Sequence, residues 1–383
     1  MEPVTHLLTG ACLSRAGLNR RAAYATLTMV VAAEFPDIDT LWSLRGPIEG
    51  FQHHRGITHT FLGLPFEAAL IVVGVYAWHR WLKRASPSAS GRATPLTAAP
   101  VRWGVLYGLA LVALLSHLLL DYTNNYGLRP FFPFNDRWYA ASIVFIVDPL
   151  MLALLLGALI LPWIFGLVNA EVGAKKQAFH GRGWAIAALV GIAGWWGLRA
   201  VEHERALQMA MAQSMVAPTP ESAATTTQTQ DVDAAYVPTF LPARAALASP
   251  DLLSPFRWSA VMDFGPVYKL AEIDTYGRTL MSGEEMYPKT GSSAAVLAAE
   301  RSKLGRAYMD WSSMPFVEVT KADSAVAADG GELSIAATVV TFRDPRFLGG
   351  RLAETGRQPL TGTVELDAAG HVVRQTMDGR VEP

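Results

Sequence analysis

The sequence predicts an α-helical integral membrane domain of about five spans plus a short N-terminal helix, followed by a small soluble, mainly antiparallel β domain. Hydrophobic residues make up 51% of the 383 residues and charged residues only 17%, with a mean hydropathy of +0.22. The apolar excess lies in the first 200 residues. It forms runs that approach the ~20 residues a helix needs to cross the hydrocarbon core. Residues 240–383 instead carry short β-branched and aromatic segments between turns.

The N-terminus is predicted to form a helical hairpin. A short helix over residues 3–15 is followed by the turn AGLNRR and an apolar helix over residues 22–36. Two antiparallel helices joined by a short loop bring their far ends together. We therefore expect His6 at the level of Asp37. If residues 1–21 formed a plain tail instead, His6 would lie a full membrane away from Asp37.

Four further apolar segments predict the remaining spans. They cover residues 60–79, 103–120, 149–168 and 183–201. The last segment is the weakest, because only 15 uncharged residues, WAIAALVGIAGWWGL, precede Arg199.

Successive loops between the apolar segments alternate between many and few basic residues. The loops expected on one side of the membrane carry eleven Lys and Arg residues, and those expected on the other side carry four. The positive-inside rule places the richer set in the cytoplasm and the loops 37–59 and 121–148 outside. The richer set comprises Arg15, Arg20, Arg21, Arg80, Lys83, Arg84, Arg92, Arg102, Lys175, Lys176 and Arg182, and the poorer set Arg45, Arg55, Arg129 and Arg137.

A change of composition follows the last apolar segment. The stretch PTPESAATTTQTQDVDAA is polar and offers little to bury, which is typical of a flexible linker. Beyond it, WSAVMDFGPVYKLAEID, ELSIAATVVTF and GTVELDAAGHVV read as strands, with TYG, DGGE and DAAGH as turns. The predicted domains are residues 1–205 in the membrane, a linker over 206–239 and a soluble β-rich domain over 240–383. This last domain is extracytoplasmic if residues 184–198 span the membrane.

The net charge and the cysteine content argue against nucleic-acid binding and against sites built from cysteines. The net charge of −1 gives no electrostatic case for nucleic acid. The single cysteine, Cys12, rules out a disulfide within the chain and a zinc site built from cysteines.

Histidines and aspartates cluster on the predicted outer face. His117 and Asp121 are four residues apart at the end of an apolar helix, so they share one helix face. Imidazole with carboxylate suits zinc, manganese or iron, and the set is large enough for one ion or two. Ionisable groups beside a membrane segment are costly, which points to function. The other candidates are His6, Asp37, Asp39, His53, His54, His59 and Asp148.

Two of these residues, His53 and Asp148, are secondary candidates. Asp148 precedes Pro149, the usual arrangement of a helix N-cap followed by proline at the first helical position. The side chains of His53 and His54 are adjacent and diverge, so we expect only one of them to bind the ion.

Four motifs together resemble a known family. THLLTG, FPDIDTLW, HHRGITHT and HLLLDYTNNYG, in this order between apolar helices, are similar to the YdjM/YbcI family of bacterial inner-membrane proteins assigned as metal-dependent hydrolases. The resemblance covers about residues 3–200 and implies a multi-pass protein of the inner (cytoplasmic) membrane. It gives Arg55 and Thr58 roles near the substrate or behind the ligands, and none to residues 240–383. The ligands that it implies are His6, Asp37, Asp39, His54, His59, His117 and Asp121.

The resulting expectation is a membrane-bound metal-dependent hydrolase with its active site at the outer membrane–water interface. Metal-activated water would attack an ester, with a phosphoester or lipid-linked substrate as the best match to the location. Asp39 or Asp121 would act as general base, and Arg55 would hold a phosphate or carboxylate. Zinc is the first choice of metal. The alternative is a non-catalytic metal-binding membrane protein in envelope assembly, sensing or ion handling. The expected partners are membrane lipids, an amphiphilic substrate and a protein docked by the C-terminal domain.

Overall fold

The structure is a computed structural model that describes residues 1–85, 100–171, 181–216, 240–321, 338–348 and 358–383. Within these ranges the N-terminal half is helical. Its helices are α1 (Pro3–Arg15), α2 (Ala25–Glu34), α3 (Pro47–His53), α4 (Leu64–Ala85), α5 (Trp103–Thr123), α6 (Pro149–Glu171) and α7 (Arg182–Met211). Short 3₁₀ segments cover Leu18–Arg20, Phe35–Leu44 and Ile57–His59.

Two or three elements of this half are candidate membrane spans. Helices α5 and α7 are long and apolar enough to cross a bilayer, and the bent pair Pro47–His59 and Leu64–Arg84 could form a third span with an 86° break. A shorter apolar helix covers Pro149–Phe165. The predicted helices therefore exist, while the count of five spans stays a prediction. Helix α7 extends ten residues beyond the predicted end at residue 201, into the segment predicted as linker. Residues 217–239 lie outside the described ranges.

Helices α1 and α2 form the predicted hairpin, and a glycine sets their spacing. A Cβ atom at Gly10 would lie 2.7 Å from the carbonyl oxygen of Met29 and 2.7 Å from the Cβ of Ala33. Only glycine permits this approach without a shift of the backbone. The close contact carries His6, one turn before Gly10, to the C-terminal end of α2.

We expect Gly10→Ala to destabilise the protein by about 1–3 kcal/mol, the usual cost of inserting a methyl group where there is no space. Gly74→Ala is the matched control, because a Cβ at Gly74 meets nothing within 4 Å. The measurement is the thermal unfolding midpoint of each variant in detergent. Equal midpoints for the two variants would contradict the tight α1–α2 contact.

The C-terminal half combines sheets with two helices. The elements are β1 (Ser214–Val216), β2 (Phe240–Pro242), β3 (Ala245–Pro250), β4 (Arg257–Asp263), β5 (Val267–Asp274), β6 (Thr279–Pro288), α8 (Ala294–Glu300), α9 (Lys303–Trp311), β7 (Phe316–Lys321), β8 (Thr338–Arg343), β9 (Gly362–Leu366), β10 (Val372–Met377) and β11 (Arg380–Val381). The predicted antiparallel strands are confirmed in a four-stranded sheet of order β3-β4-β5-β6 and a five-stranded sheet of order β11-β10-β9-β8-β7, while β1 and β2 form a small pair. The helices α8 and α9 were not predicted. The predicted turn DGGE lies outside the described residues.

The C-terminal half packs on the face of the helical half that carries the histidine-rich segment QHHRGITHT, residues 52–60. Phe51 of α3 and Tyr126 share one hydrophobic core with Leu304 and Trp311 of α9. At its edge, the Lys303 ammonium lies 2.7 Å from a carboxylate oxygen of Glu49. The segment QHHRGITHT (residues 52–60) and the β-rich domain therefore lie on the same face of the molecule.

Candidate metal centre

Helix α5 supplies two ligand candidates from one face. His117 and Asp121 are both fully buried, and Nε2 of His117 lies 3.5 Å from Oδ2 of Asp121. The four-residue spacing predicted this convergence, which follows from the 3.6-residue helical repeat.

The ring of His117 is oriented by the end of α2. Its Nδ1 lies 2.7 Å from the carbonyl oxygen of Ala33. The last four carbonyls of a helix have no intrahelical partner, so this oxygen is free to accept the Nδ1 proton. Nε2 of His117 then carries a lone pair that points towards the other ligand candidates. A hydrogen bond of this kind on the remote ring nitrogen is typical of metal-binding histidines.

His59 is oriented by a hydroxyl and a carboxylate. Its Nδ1 lies 3.1 Å from the hydroxyl oxygen of Thr58 and 3.2 Å from Oδ2 of Asp39. Its Nε2 lies 3.3 Å from Oδ1 of Asp37 and 3.3 Å from Oδ2 of Asp121. The second imidazole thus also presents Nε2 to a pair of carboxylate oxygens.

The two Nε2 atoms lie only 3.0 Å apart. With both Nδ1 atoms donating to oxygen acceptors, two imidazole lone pairs and two carboxylate oxygens face one another inside a buried site. The ligand atoms of Asp37, His59, His117 and Asp121 all lie within 4.8 Å of one another. A proton on one Nε2 satisfies a single neighbour, whereas a divalent cation at the centre is shared by all four groups. The donor set therefore fits a metal ion.

His6 completes the wall of this cluster. Its ring stacks on that of His117 with centroids 3.8 Å apart, and its Nε2 lies 3.4 Å from Oδ1 of Asp121. Neither ring nitrogen of His6 has a hydrogen-bond partner among the described residues, although His6 is fully buried. The Met1 amine contacts the same carboxylate. The helical hairpin thus brings His6 to the level of Asp37 and Asp121, as predicted.

Arg55, Thr58 and His54 surround Asp39, next to the four ligand candidates. One of its oxygens accepts from the backbone N–H of Arg55 at 2.8 Å and from the hydroxyl of Thr58 at 3.1 Å, and the other lies 3.1 Å from Nδ1 of His54. Asp37, Asp39 and His54 also form a second group whose ligand atoms are close enough to hold an ion.

Arg55 lies behind the cluster. Its Nη2 donates to Asp121 at 2.8 Å, and its Nη1 donates to the Gly127 carbonyl at 2.6 Å and to the Asn124 side chain at 3.2 Å. The backbone of Arg55 is left-handed, with φ of 56°. This conformation turns its N–H towards Asp39 while the side chain reaches Asp121, so one residue fixes two carboxylates.

The cluster occupies the part of the chain that matches a known family. The profile of the YdjM inner membrane protein family matches residues 1–206. The chain belongs to this family. It is also similar to the uncharacterized protein YfhP of Bacillus subtilis, with 24% identity over 164 residues, 39% of this chain and 42% of that protein. The chain thus matches less than half the length of this relative. No solved structure matches the chain.

Every member of the cluster lies in the segment that matches the YdjM family. The two secondary candidates, His53 and Asp148, do not belong to the cluster. His53 stacks on Trp42 with centroids 4.3 Å apart, and its Nδ1 lies 3.2 Å from the Glu49 carboxylate. Asp148 accepts from the backbone N–H of Met151 at 3.0 Å and from the indole of Trp195 at 3.0 Å. The N-cap role of Asp148 is therefore confirmed, and of the adjacent histidines His54 is the one that reaches a carboxylate of the centre.

Asp37 and Asp39 lie in the 3₁₀ segment, outside the candidate spans. Burial alone would raise the pKa of Asp37, but when protons take the place of an ion on His59 and His117, the hydrogen bond from His59 and the two positive charges lower it to about 2. Burial likewise opposes ionisation of Asp39, while hydrogen bonds from His54 and His59 lower its pKa. Both carboxylates are therefore ionised at neutral pH and available to a cation or an imidazole.

Sequence reasoning missed the residues that support Arg55 in this YdjM domain. Asn124 accepts from the Arg55 guanidinium and from the backbone N–H of Tyr126 at 2.9 Å. The Tyr126 ring lies under the same guanidinium at 4.8 Å. The signal was the stretch DYTNNYG, in which Asn124 and Asn125 follow helix α5 directly.

Proposed function

We propose that this chain is a hydrolase that depends on one divalent ion, with zinc as first choice, and cleaves an ester of a membrane-partitioned molecule. The ion is held by Asp37, His59, His117 and Asp121, with His6 as a further donor. The observation that supports this most directly is the pair of Nε2 atoms 3.0 Å apart, both aimed at carboxylate oxygens. Phosphoesters are the first substrate class to test.

When bound, the metal supplies an acidified water and polarises the ester oxygen. His54 is better placed than Asp39 or Asp121 to move the proton of that water. Its Nδ1 is oriented by Asp39 at 3.1 Å, and its side chain is 29% exposed. Asp39 is occupied by its donors, and Asp121 by Arg55. Arg55 itself orients Asp121 and does not reach out to a phosphate.

The proposal includes the location. Apolar helices and the family match support the inner membrane. The alternation of eleven against four basic residues supports five spans with the metal centre and C-terminal domain on the extracytoplasmic side. A lipid-linked substrate would then reach the site laterally from the outer leaflet.

The test uses the purified full chain with p-nitrophenyl phosphate, bis-p-nitrophenyl phosphate and p-nitrophenyl octanoate. We expect a chelator to abolish hydrolysis and added metal to restore it. His54→Ala should lower kcat about 10²–10⁴-fold, the usual contribution of a general base, at unchanged metal content. His53→Ala, one residue away but turned outward, is the control. Full activity of His54→Ala would reject its role as base. A metal-loaded wild type that cleaves none of the three esters would reject the hydrolase and favour the non-catalytic alternative.

A second variant tests the proposed ion count. In a one-ion site Asp39 supports His59 from behind, so Asp39→Asn should weaken metal affinity about 10–100-fold without changing the stoichiometry of one ion. The measurement is a metal titration with mass-spectrometric metal content. A wild type with two ions, one of which Asp39→Asn removes, would show instead that Asp37, Asp39 and His54 hold a second ion.

A further inference from the structure

A cavity of about 750 Å³ lies between the two halves of the chain, directly beside the metal centre. His54 and Arg55 are among its lining residues. Its remaining walls come from both halves and include Phe51, Ile146 and Leu360. Sites for small molecules usually have volumes of about 300–1,000 Å³ and walls that are mostly apolar. The cavity therefore has the size for a head group and the first part of one acyl chain.

The positive charge of the cavity wall that lacks an ion-pair partner comes from the C-terminal half of the chain. Arg380 of β11 lines the cavity, is exposed, and forms no ion pair with any described residue. The other guanidinium in the wall, Arg55, already faces Asp121. The carboxylate in the wall, Asp378, accepts from the backbone N–H of Thr361 at 3.0 Å. Asp378 keeps its negative charge but forms no ion pair with Arg380, so Arg380 is the guanidinium of this wall that has no carboxylate partner among the described residues.

We propose that this cavity binds a single-chain amphiphile with an anionic head group, and that Arg380 binds the anion. A planar guanidinium matches the oxygens of a phosphate or phosphonate, and the apolar walls match a hydrocarbon chain. Because Arg380 lies outside the family match over residues 1–206, the C-terminal half supplies the specificity for the ligand and the YdjM half supplies the metal. That the ligand is the substrate rests on the proposed function; the binding itself does not.

The test is calorimetric titration of the full chain, in phosphatidylcholine nanodiscs, with octylphosphonate. Its P–C bond is not an ester, so binding is measured apart from hydrolysis, with empty nanodiscs as the baseline. Arg380→Gln should weaken binding about tenfold, as expected for loss of a hydrogen bond to a charged group. Arg374→Gln is the matched control. Arg374 is also exposed, lies on the neighbouring strand 3.8 Å from Glu365, and does not line the cavity.

Two comparisons make the result specific. Neutral octyl glucoside should bind Arg380→Gln and wild type equally, and lengthening the phosphonate chain from butyl to hexyl should tighten binding about fourfold per methylene. Equal octylphosphonate affinity of wild type and Arg380→Gln would overturn the proposal, as would an equal loss in Arg374→Gln. Arg380-dependent binding without any ester hydrolysis would reject the hydrolase and keep the site. Hydrolysis with no effect of Arg380→Gln on octylphosphonate binding would reject the site alone.

Discussion

His117→Ala is expected to abolish stoichiometric metal binding, and Asp121→Asn to do the same. Loss of a supporting group already costs about 10–100-fold in metal affinity, and loss of a ligand costs more. His117 offers Nε2 to the cluster because the Ala33 carbonyl holds its Nδ1 at 2.7 Å. Asparagine at residue 121 keeps the size of the side chain but removes the charge that binds the ion. The measurement is metal content by mass spectrometry on protein purified in detergent and dialysed against each metal.

The matched control for this loss is His53→Ala. His53 belongs to the same nine-residue stretch as His59, yet its ring lies against Trp42 and Glu49. We expect this variant to bind metal as wild type does. His117→Gln, which retains a polar side chain, separates loss of a ligand from loss of folding if its unfolding midpoint stays near that of wild type. Metal content that survives both His117→Gln and Asp121→Asn in folded protein would contradict the assigned centre.

Much of this centre could be predicted because its residues obey local rules. The spacing of His117 and Asp121 fixes their common helix face, and the short AGLNRR turn returns His6 to the level of Asp37. The roles behind the ligands could not be predicted. Asp39 and Asp37 differ only in the direction that the 3₁₀ segment Phe35–Leu44 gives each side chain.

The fold, like the metal centre, could be predicted only in part from the sequence. Apolar runs indicate helices well, but α7 continues past its predicted end because Ala206 and Ala210 pack in a hydrophobic core with Trp258 of β4. In the C-terminal half the sequence KLGRAYMDW forms α9, whose Leu304, Tyr308 and Trp311 are buried at helical spacing. The strand signals on both sides obscured this short amphipathic pattern. Contacts between the two halves depend on residues some 180 to 220 positions apart, such as Trp311 with Tyr126 and Arg346 with Asn125, which no local pattern encodes.

These long-range contacts support the metal centre from outside. Nη1 of Arg346 donates to the Asn125 carbonyl at 3.0 Å, and the indole N–H of Trp311 donates to the Tyr126 carbonyl at 3.2 Å. The same short segment holds the Arg55 guanidinium, which in turn fixes Asp121. Through this segment and Arg55, the contacts of the C-terminal half thus extend to the ligand candidate Asp121.

Arg346→Ala is therefore expected to destabilise the protein by about 3–5 kcal/mol, the usual cost of leaving one member of a buried ion pair alone. Arg346 is almost fully buried and lies 2.6 Å from Asp344, which is fully buried. Arg343→Ala, three residues away, is the control. Arg343 pairs at 2.9 Å with the more exposed Glu318, so its loss should cost at most about 1 kcal/mol. The measurement is the free energy of unfolding by denaturant at constant detergent.

Metal affinity then separates positioning from stability. At a temperature where Arg346→Ala is still folded, a positioning role weakens metal binding about 10–100-fold, whereas Arg343→Ala leaves it unchanged. Arg346→Lys keeps the charge beside Asp344 but has fewer donors for the Asn125 carbonyl, so it should recover stability more fully than metal affinity. Wild-type metal affinity in folded Arg346→Ala would contradict the coupling, because the Asn125 segment would then hold Arg55 and Asp121 without the C-terminal half.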